Sequence, residues 1–307
     1  MSSETVSVEM NQKTPVRREE SPWRMAMRRF IRNRLALMGL VILVIMVLIS
    51  FIGPRLSPYN VNDYSLAHKN EAPSADHWLG TDKLGRDILL RTMLAGQISL
   101  TVGLVATAIS VVIGATLGSL AGFYRRSVDT LIMRVADIFM SLPQLPLLII
   151  LGAVLSDLKI NPVNRIYFLM LIIGALSWTT LSRLVRGQIL TLREQEFMQA
   201  TEALGLRDRR KIFRHLLPNT IPTIIVTATL GVAGAIITES ALSFLGIGVV
   251  PPTPSWGNMI SAANNLIDFR KRPWLWIPPG MCILVTVVAI NLIGDGLRDA
   301  LDPKMKR

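Results

Sequence analysis

The chain is 307 residues long, half of them hydrophobic, and carries 33 Lys and Arg against 21 Asp and Glu, a net charge of +12. So apolar a chain leaves little sequence for a soluble domain. Its basic residues come in blocks between uncharged runs, which excludes a nucleic-acid partner and points to a lipid bilayer. Cys282 is the single cysteine, so an intramolecular disulfide is excluded as well.

Segment 1–34 reads as a tail that ends in an amphipathic helix. Arg17, Arg18, Arg24, Arg28, Arg29, Arg32 and Arg34 precede the first apolar run, and within 23–34 the residues Trp23, Met25, Met27 and Phe30 stand among arginines, as an interfacial helix requires. The leader is too long for an ordinary signal peptide and no small-residue cleavage site follows Ile52, so 35–53 is expected to remain as the first transmembrane helix. Uncharged runs at 35–52, 97–124, 138–156, 166–182, 216–238 and 273–294 each approach or exceed the roughly 20 residues a helix needs to cross a bilayer. They predict about six transmembrane helices. No strand-like alternation is present for a barrel, so the fold class is an all-α polytopic membrane protein.

Residues 54–96 form a loop between the first two spans. Gly80, Gly85, Asp82 and Asp87 suit tight solvated turns there. His68 and His77 share this loop without metal-ligand spacing or a neighbouring cysteine, and no metal site is expected.

The core, 97–297, opens with Gly114, Gly118 and Gly122 on one helical face, a pattern that lets helices pack closely. Arg134 and Asp137 are spaced for an intrahelical ion pair. Pro143 and Pro146 should kink the third span. Glu239 falls near the end of the fifth span, where it is expected to reach water. The proline-rich stretch 251–257 reads either as a solvated turn or as a rigid cap over a pathway. Arg270, Lys271 and Arg272 sit just before the last span, against the prevailing charge pattern.

Between the fourth and fifth spans lies a basic insert, 187–218, too large for a turn. Ala200, Ala203 and Leu204 present small apolar surface at helical spacing, and Gly205 can end that helix in the left-handed conformation. Asp208 can cap the next helix, whose Ile212, Phe213, Leu216 and Leu217 form a stripe beside Arg209, Arg210, Lys211 and Arg214. Pro218 suits the first turn of the following span. Arg183, Arg186 and Arg193 add to this block, and the Arg125-Arg126 turn and the 298–307 tail, with Lys304, Lys306 and Arg307, fall on the same side if spans alternate. The positive-inside rule then places both termini and the insert in the cytoplasm. No phosphate-binding loop of the form GxxxxGK[ST] occurs, so energy for uphill transport would come from another subunit.

At these residues the chain resembles the permease subunits of ATP-binding cassette importers. Their cytoplasmic signature, E-A-A-x3-G-x9-I-x-L-P, matches the spacing from Gln199 through Gly205 to Leu217 and Pro218, with Gln199, Thr201 and His215 as departures. Two further segments, HWLGTDKLGRD at 77–87 and ESALSFLGIG at 239–248 running into PPTPSWG at 251–257, are similar to the oligopeptide and dipeptide permeases of the second-permease type.

The resemblance implies a type I importer fold in a bacterial or archaeal inner membrane. It also implies a coupling helix built on Gln199, Ala200, Thr201, Ala203, Leu204, Gly205, Leu217 and Pro218, which enters a cleft on an ATPase subunit. Docking of an extracytoplasmic solute-binding protein on His77, Gly80, Asp82, Gly85, Arg86 and Asp87 follows in the same way. The implied partners are a second permease, ABC ATPase subunits, the binding protein, the lipid bilayer and a peptide substrate. This chain is expected to bind no cofactor, with ATP and Mg on the ATPase subunits. Permeation of nickel, glutathione or another small solute is the alternative within the family. An ion-gradient-driven secondary transporter is the alternative outside it, and a membrane enzyme has no supporting cluster of residues.

Overall fold

The computed structural model describes residues 22–61, 63–158 and 160–301. Arg17, Arg18, the Trp23 side chain, Lys304, Lys306 and Arg307 lie outside the described residues. The amphipathic helix and the first span are two helices, α1 Pro22–Arg32 and α2 Arg34–Phe51, separated at Asn33. The Asn33 side-chain oxygen accepts from Leu35 N and Ala36 N at 3.1 and 3.2 Å, so Asn33 caps α2. A short α3, Gly53–Leu56, and a 3-10 turn, Leu66–His68, lead through the loop to α4, Ile88–Tyr124.

The long helix α4 begins nine residues before the uncharged run at 97, so the loop is shorter than the expected 54–96. The cause is local. Asp87 accepts from Leu90 N at 2.7 Å and caps the helix, and the polar residues Arg91 and Thr92 are buried inside the fold instead of ending it. At 37 residues and about 1.5 Å per residue, α4 is longer than the hydrocarbon thickness it must cross.

The third span also starts earlier than 138. It comprises α5, Arg126–Ser141, and α6, Gln144–Asp157, bent by 84° at the break. Pro143 sits in the N-cap of α6 and Pro146 in its first turn, where a missing donor is tolerated, so the expected kink is a complete break at Pro143. Next come α7, Pro162–Arg193, α8, Glu196–Ala203, α9, Asp208–Arg210, a π-helical turn at Lys211–Leu216, and α10, Leu217–Phe244. The chain closes with α11, Trp256–Ser261, α12, Leu266–Lys271, a 3-10 turn at Pro273–Leu275 and α13, Ile277–Leu301.

Among the described residues five helices are long and apolar enough to cross a membrane, or six if the bent pair counts as one span, in line with the expectation of about six. Among the described residues the only strand-like pairing is an isolated bridge between Thr81 and Asp87.

The centre of the bundle is the pair α4 and α7. A Cβ added at Gly114, Gly118 or Gly122 would lie 2.8, 2.5 or 2.7 Å from Trp178 O, Ser182 O or Ile189 Cβ, so the glycine face is indeed a packing face. The side of α2 carrying Leu35, Val41, Ile45 and Leu48 is exposed, as suits contact with lipid chains.

Two charge expectations are corrected. Asp137 pairs with Arg183 of α7 rather than with Arg134, and beside it Asp129 accepts from Arg186 Nε at 2.5 Å and Nη2 at 2.6 Å. These arginines fasten α5 to α7, because the face of α5 that carries both aspartates packs on that helix.

Glu239 does not reach water. It is fully buried, accepting from Ser99 Oγ at 2.8 Å and Ser243 Oγ at 2.6 Å. The segment covering it is the proline-rich stretch, which folds inward. Trp256 is fully buried, with its indole nitrogen donating to Thr92 O at 3.1 Å, and Ser255 and Asn258 form a capping box. Residues 254–257 therefore form a packed plug, while Pro251 and Pro252 stand in an exposed turn.

Candidate functional site

The insert is assembled against the end of α4. Arg193, in the last turn of α7, donates to the Phe123 carbonyl with its guanidinium 5.2 Å from the Phe123 ring centroid, and Arg125 pairs with Glu194. Met198, Ile212 and Leu216 are almost wholly buried with Phe123, Val185 and Ile189, which anchors the knob. Burying apolar side chains at about 25 cal/mol per Å² makes this contact the main stabilisation of the insert.

The termination of α8 follows the expected left-handed cap. Gly205 has φ +63°, its N–H donates to Glu202 O at 2.9 Å, and Leu206 N donates to Thr201 O at 3.2 Å, the paired bonds of a Schellman motif. An added Cβ at Gly205 would meet nothing within 4 Å, so glycine is needed for its backbone conformation and leaves open surface around it.

Outward from this cap point Gln199, Ala200, Ala203 and Leu204, the last 76% exposed. Thr201, expected on the same surface, faces the core instead. It is 6% exposed and its hydroxyl donates to Met198 O at 2.7 Å, because at helical spacing 198 and 201 share the buried side.

Beyond the cap, Arg207 and not Asp208 holds the N-cap position of α9, without a side-chain bond. Asp208 is the first helical residue and pairs with Lys211 at 3.6 Å. The π turn, which the sequence reading missed, ends where Leu217 N bonds Ile212 O. Pro218, two residues past the turn, lacks the N–H that an α-helix would bond to Arg214 O, and that missing donor was the signal that could have found it. Pro218 sits in the first turn of α10 as expected and is exposed, with Leu217 half-buried beside it. The His215 Nε2 is buried without a hydrogen-bond partner. Arg207, Arg209, Arg210 and Arg214 form an exposed basic rim. Leu204 thus stands exposed among small residues beside this charged rim.

At the opposite end, the 77–87 residues are in a different condition. His77, Gly80, Asp82, Gly85 and Asp87 are buried and Arg86 is half-buried. Asp82 accepts from Leu84 N at 2.8 Å, Arg86 N at 3.0 Å and Arg86 Nε at 2.7 Å. Gly80 and Gly85 have φ +71° and +73°, and a Cβ at Gly85 would lie 1.8 Å from Ser65 O. The expected tight turns are present, but they are interior ones. The surface there is offered by Trp78, 73% exposed, with Lys83 and Leu84.

Lys83 and Arg272 both pair with Asp268, which is 2% exposed. The hydrogen bond from Lys83, opposed by burial and reinforced by Asn265 and Arg272, holds its carboxyl at about 2. One of the three anomalous basic residues is thus neutralised in place.

Between α4, α7 and α10 a groove of about 460 Å³ opens, mostly apolar but lined by the hydroxyls of Thr107, Ser110, Ser177, Thr180 and Thr227. Sequence reading named none of these. Isolated Ser and Thr in apolar runs carry no spacing signal, and only helix packing brings them together.

Residues 114–307 match the family described as binding-protein-dependent transport system inner membrane component, and residues 21–73 match the N-terminal TM domain of oligopeptide transport permease C. The chain is 41% identical over 286 residues to the dipeptide transport system permease protein DppC of Alkalihalophilus pseudofirmus, covering 93% of this chain and 91% of that one. It is 39% identical over 287 residues to the oligopeptide transport system permease protein OppC of Bacillus subtilis, covering 94% and 91%. With the glutathione transport system permease protein GsiD of Pectobacterium atrosepticum it shares 38% over 296 residues, 95% of each chain. With five or six apolar spans, a capped knob at one end and these relatives over nearly its whole described length, the chain belongs to the family of binding-protein-dependent transport system inner membrane components.

Proposed function

We propose that this chain is one of two permease subunits of an ATP-driven importer for peptides. The observation that carries the reading is the exposed Leu204 and Gly205 cap on a buried base, a rigid knob suited to a cleft on an ATPase subunit. The names of the dipeptide and oligopeptide relatives support the peptide class. In this reading the insert and both termini are cytoplasmic, in agreement with the arginine blocks. The groove between α4, α7 and α10 faces the second permease and contributes its hydroxyls to the route.

The chain itself holds no ATP. ATP and Mg act on the ATPase partners, whose closure displaces the knob and alternates access. An extracytoplasmic binding protein delivers solute at the Trp78 end, and its contacts there are Trp78, Lys83 and Leu84, supported from beneath by His77, Asp82 and Asp87.

The test is reconstitution of the chain with its partner subunits in proteoliposomes. ATP-dependent uptake of labelled di- and oligopeptides should require all subunits and binding protein, and the chain alone should neither hydrolyse ATP nor accumulate solute. Uptake by the purified chain driven by an ion gradient alone would overturn the reading. Glutathione is the second candidate solute, favoured by the glutathione relative, and Ni²⁺ a third; both belong in the same panel.

A further inference from the structure

The loop between α2 and α4 holds a cluster of which the proposed transport cycle uses only His77, and that only as a support beneath Trp78. His68, Glu71 and His77, nine residues apart at the extremes and without a ligand-like spacing, each offer one ligand atom within 4.8 Å of the others. We propose that these three side chains form a binding site for a divalent transition-metal ion, of which Zn²⁺ matches two imidazoles and a carboxylate best.

The simplest competing account is a surface ion pair. His68 Nδ1 lies 2.9 Å from Glu71 Oε1, three residues apart and largely exposed, and such a pair alone would mean little. His77 distinguishes the cluster. Its ring is buried, stacked under Tyr59 at 4.7 Å between centroids, and its Nδ1 lies 2.9 Å from Asp87 Oδ2. With Nδ1 engaged by that carboxylate, Nε2 keeps the free lone pair, and the Asp87 partner orients the ring. That arrangement characterises metal-ligating histidines.

The backbone beneath the cluster is fixed by one residue. The Thr81 hydroxyl donates to the His68 carbonyl and accepts from Glu71 N at 2.9 Å, while Thr81 N donates to Glu71 O at 3.0 Å. The positions that bear the ligands are therefore held in place without an ion. Ligand atoms about 2.0 Å from a tetrahedral Zn²⁺ sit about 3.3 Å from one another, so closure from 4.8 Å requires movements of about 1.5 Å. The His68 and Glu71 side chains, 53% and 40% exposed, have room to make them by rotation. A water would complete the tetrahedron. Bound metal would staple the 3-10 turn Leu66–His68 to the turn that holds His77.

The full-length chain, purified without a histidine tag and stripped with chelator, should retain one Zn²⁺ per chain in equilibrium dialysis read by elemental mass spectrometry. His68→Ala, at an exposed position that does not threaten folding, should weaken binding at least about tenfold, as should Glu71→Gln. Asp87→Asn keeps a good helix cap but a poorer partner for His77, and should lower affinity by about tenfold. His215→Ala, in the distant insert, should leave binding unchanged. Failure of the parent chain to retain Zn²⁺, retention unaffected by His68→Ala or Glu71→Gln, or an equal loss in His215→Ala would each overturn the site.

Discussion

The insert and the 66–87 loop carry motifs of the same kind, glycines with positive φ among small and charged residues, yet the fold uses them in opposite ways. In the insert the buried side belongs to Met198, Ile212 and Leu216, and the motif residues around Gly205 are left outside. In the loop the motif residues are themselves the interior, and the surface is given to Trp78, Lys83 and Leu84. At Gly205 an added Cβ would meet nothing, so the positive φ alone calls for glycine there. A glycine whose absent Cβ would sit 1.8 Å from a carbonyl marks a place made for the chain itself.

Substitution at the two glycines should separate these roles most sharply. Gly85→Val combines a clash with Ser65 O and a φ that β-branched residues avoid, so the chain should fail to accumulate in membranes, read by immunoblot. Gly205→Val adds a Cβ that meets no atoms and strains only the local cap, so it should keep near-parental abundance, while binding-protein-stimulated ATPase activity of the assembled complex falls more than about tenfold. Equal loss of abundance in the two variants would erase the contrast.

Within the insert, Leu204→Asp should reduce retention of the ATPase on co-purification with little change in chain stability. Thr201→Ala should do the reverse, costing about 1 kcal/mol in thermal unfolding through its buried hydroxyl and leaving partner retention intact.

At the loop end the Asp268 pairs give a pH signature. The carboxyl lies near 2 in the folded chain against an ordinary 3.8, so its stabilisation is fully present above about 3.8 and is lost as pH falls towards 2. Acid unfolding followed by fluorescence should show this, and Asp268→Asn should be less stable at neutral pH and flatter across that window. Arg209→Ala, on the solvated rim of the insert, should change stability and transport least of all.

Much of this was legible as punctuation. Gly205 ends a helix, Pro143 breaks one, and the glycines of α4 mark a packing face, because each acts through its own backbone or through the absence of a side chain. The choice of tertiary partner was not legible. Asp137 turns to Arg183 across helices rather than to its own neighbour Arg134, Thr201 turns inward, and Glu239 is covered by a segment that follows it in sequence. Spacing says which residues share a face but not what that face meets. The architecture of five or six spans was readable because a bilayer imposes a length and a composition on every helix that crosses it.

The two ends of the molecule are also joined mechanically. The stretch Asp208–Phe244 is one continuous span of 37 residues, about 55 Å at 1.5 Å per residue, with the π turn near its first end and Glu239 near its last. The serines that donate to Glu239 also receive backbone N–H groups, Ser99 from Trp256 at 3.3 Å and Ser243 from Val249 at 2.9 Å. The carboxylate is thus the knot of a short relay that ties the rod to α4 and to the plug. If an ATPase subunit pushes on the knob, as proposed above, this one helix is the element that would carry the displacement from the π turn to the Glu239 knot and the plug.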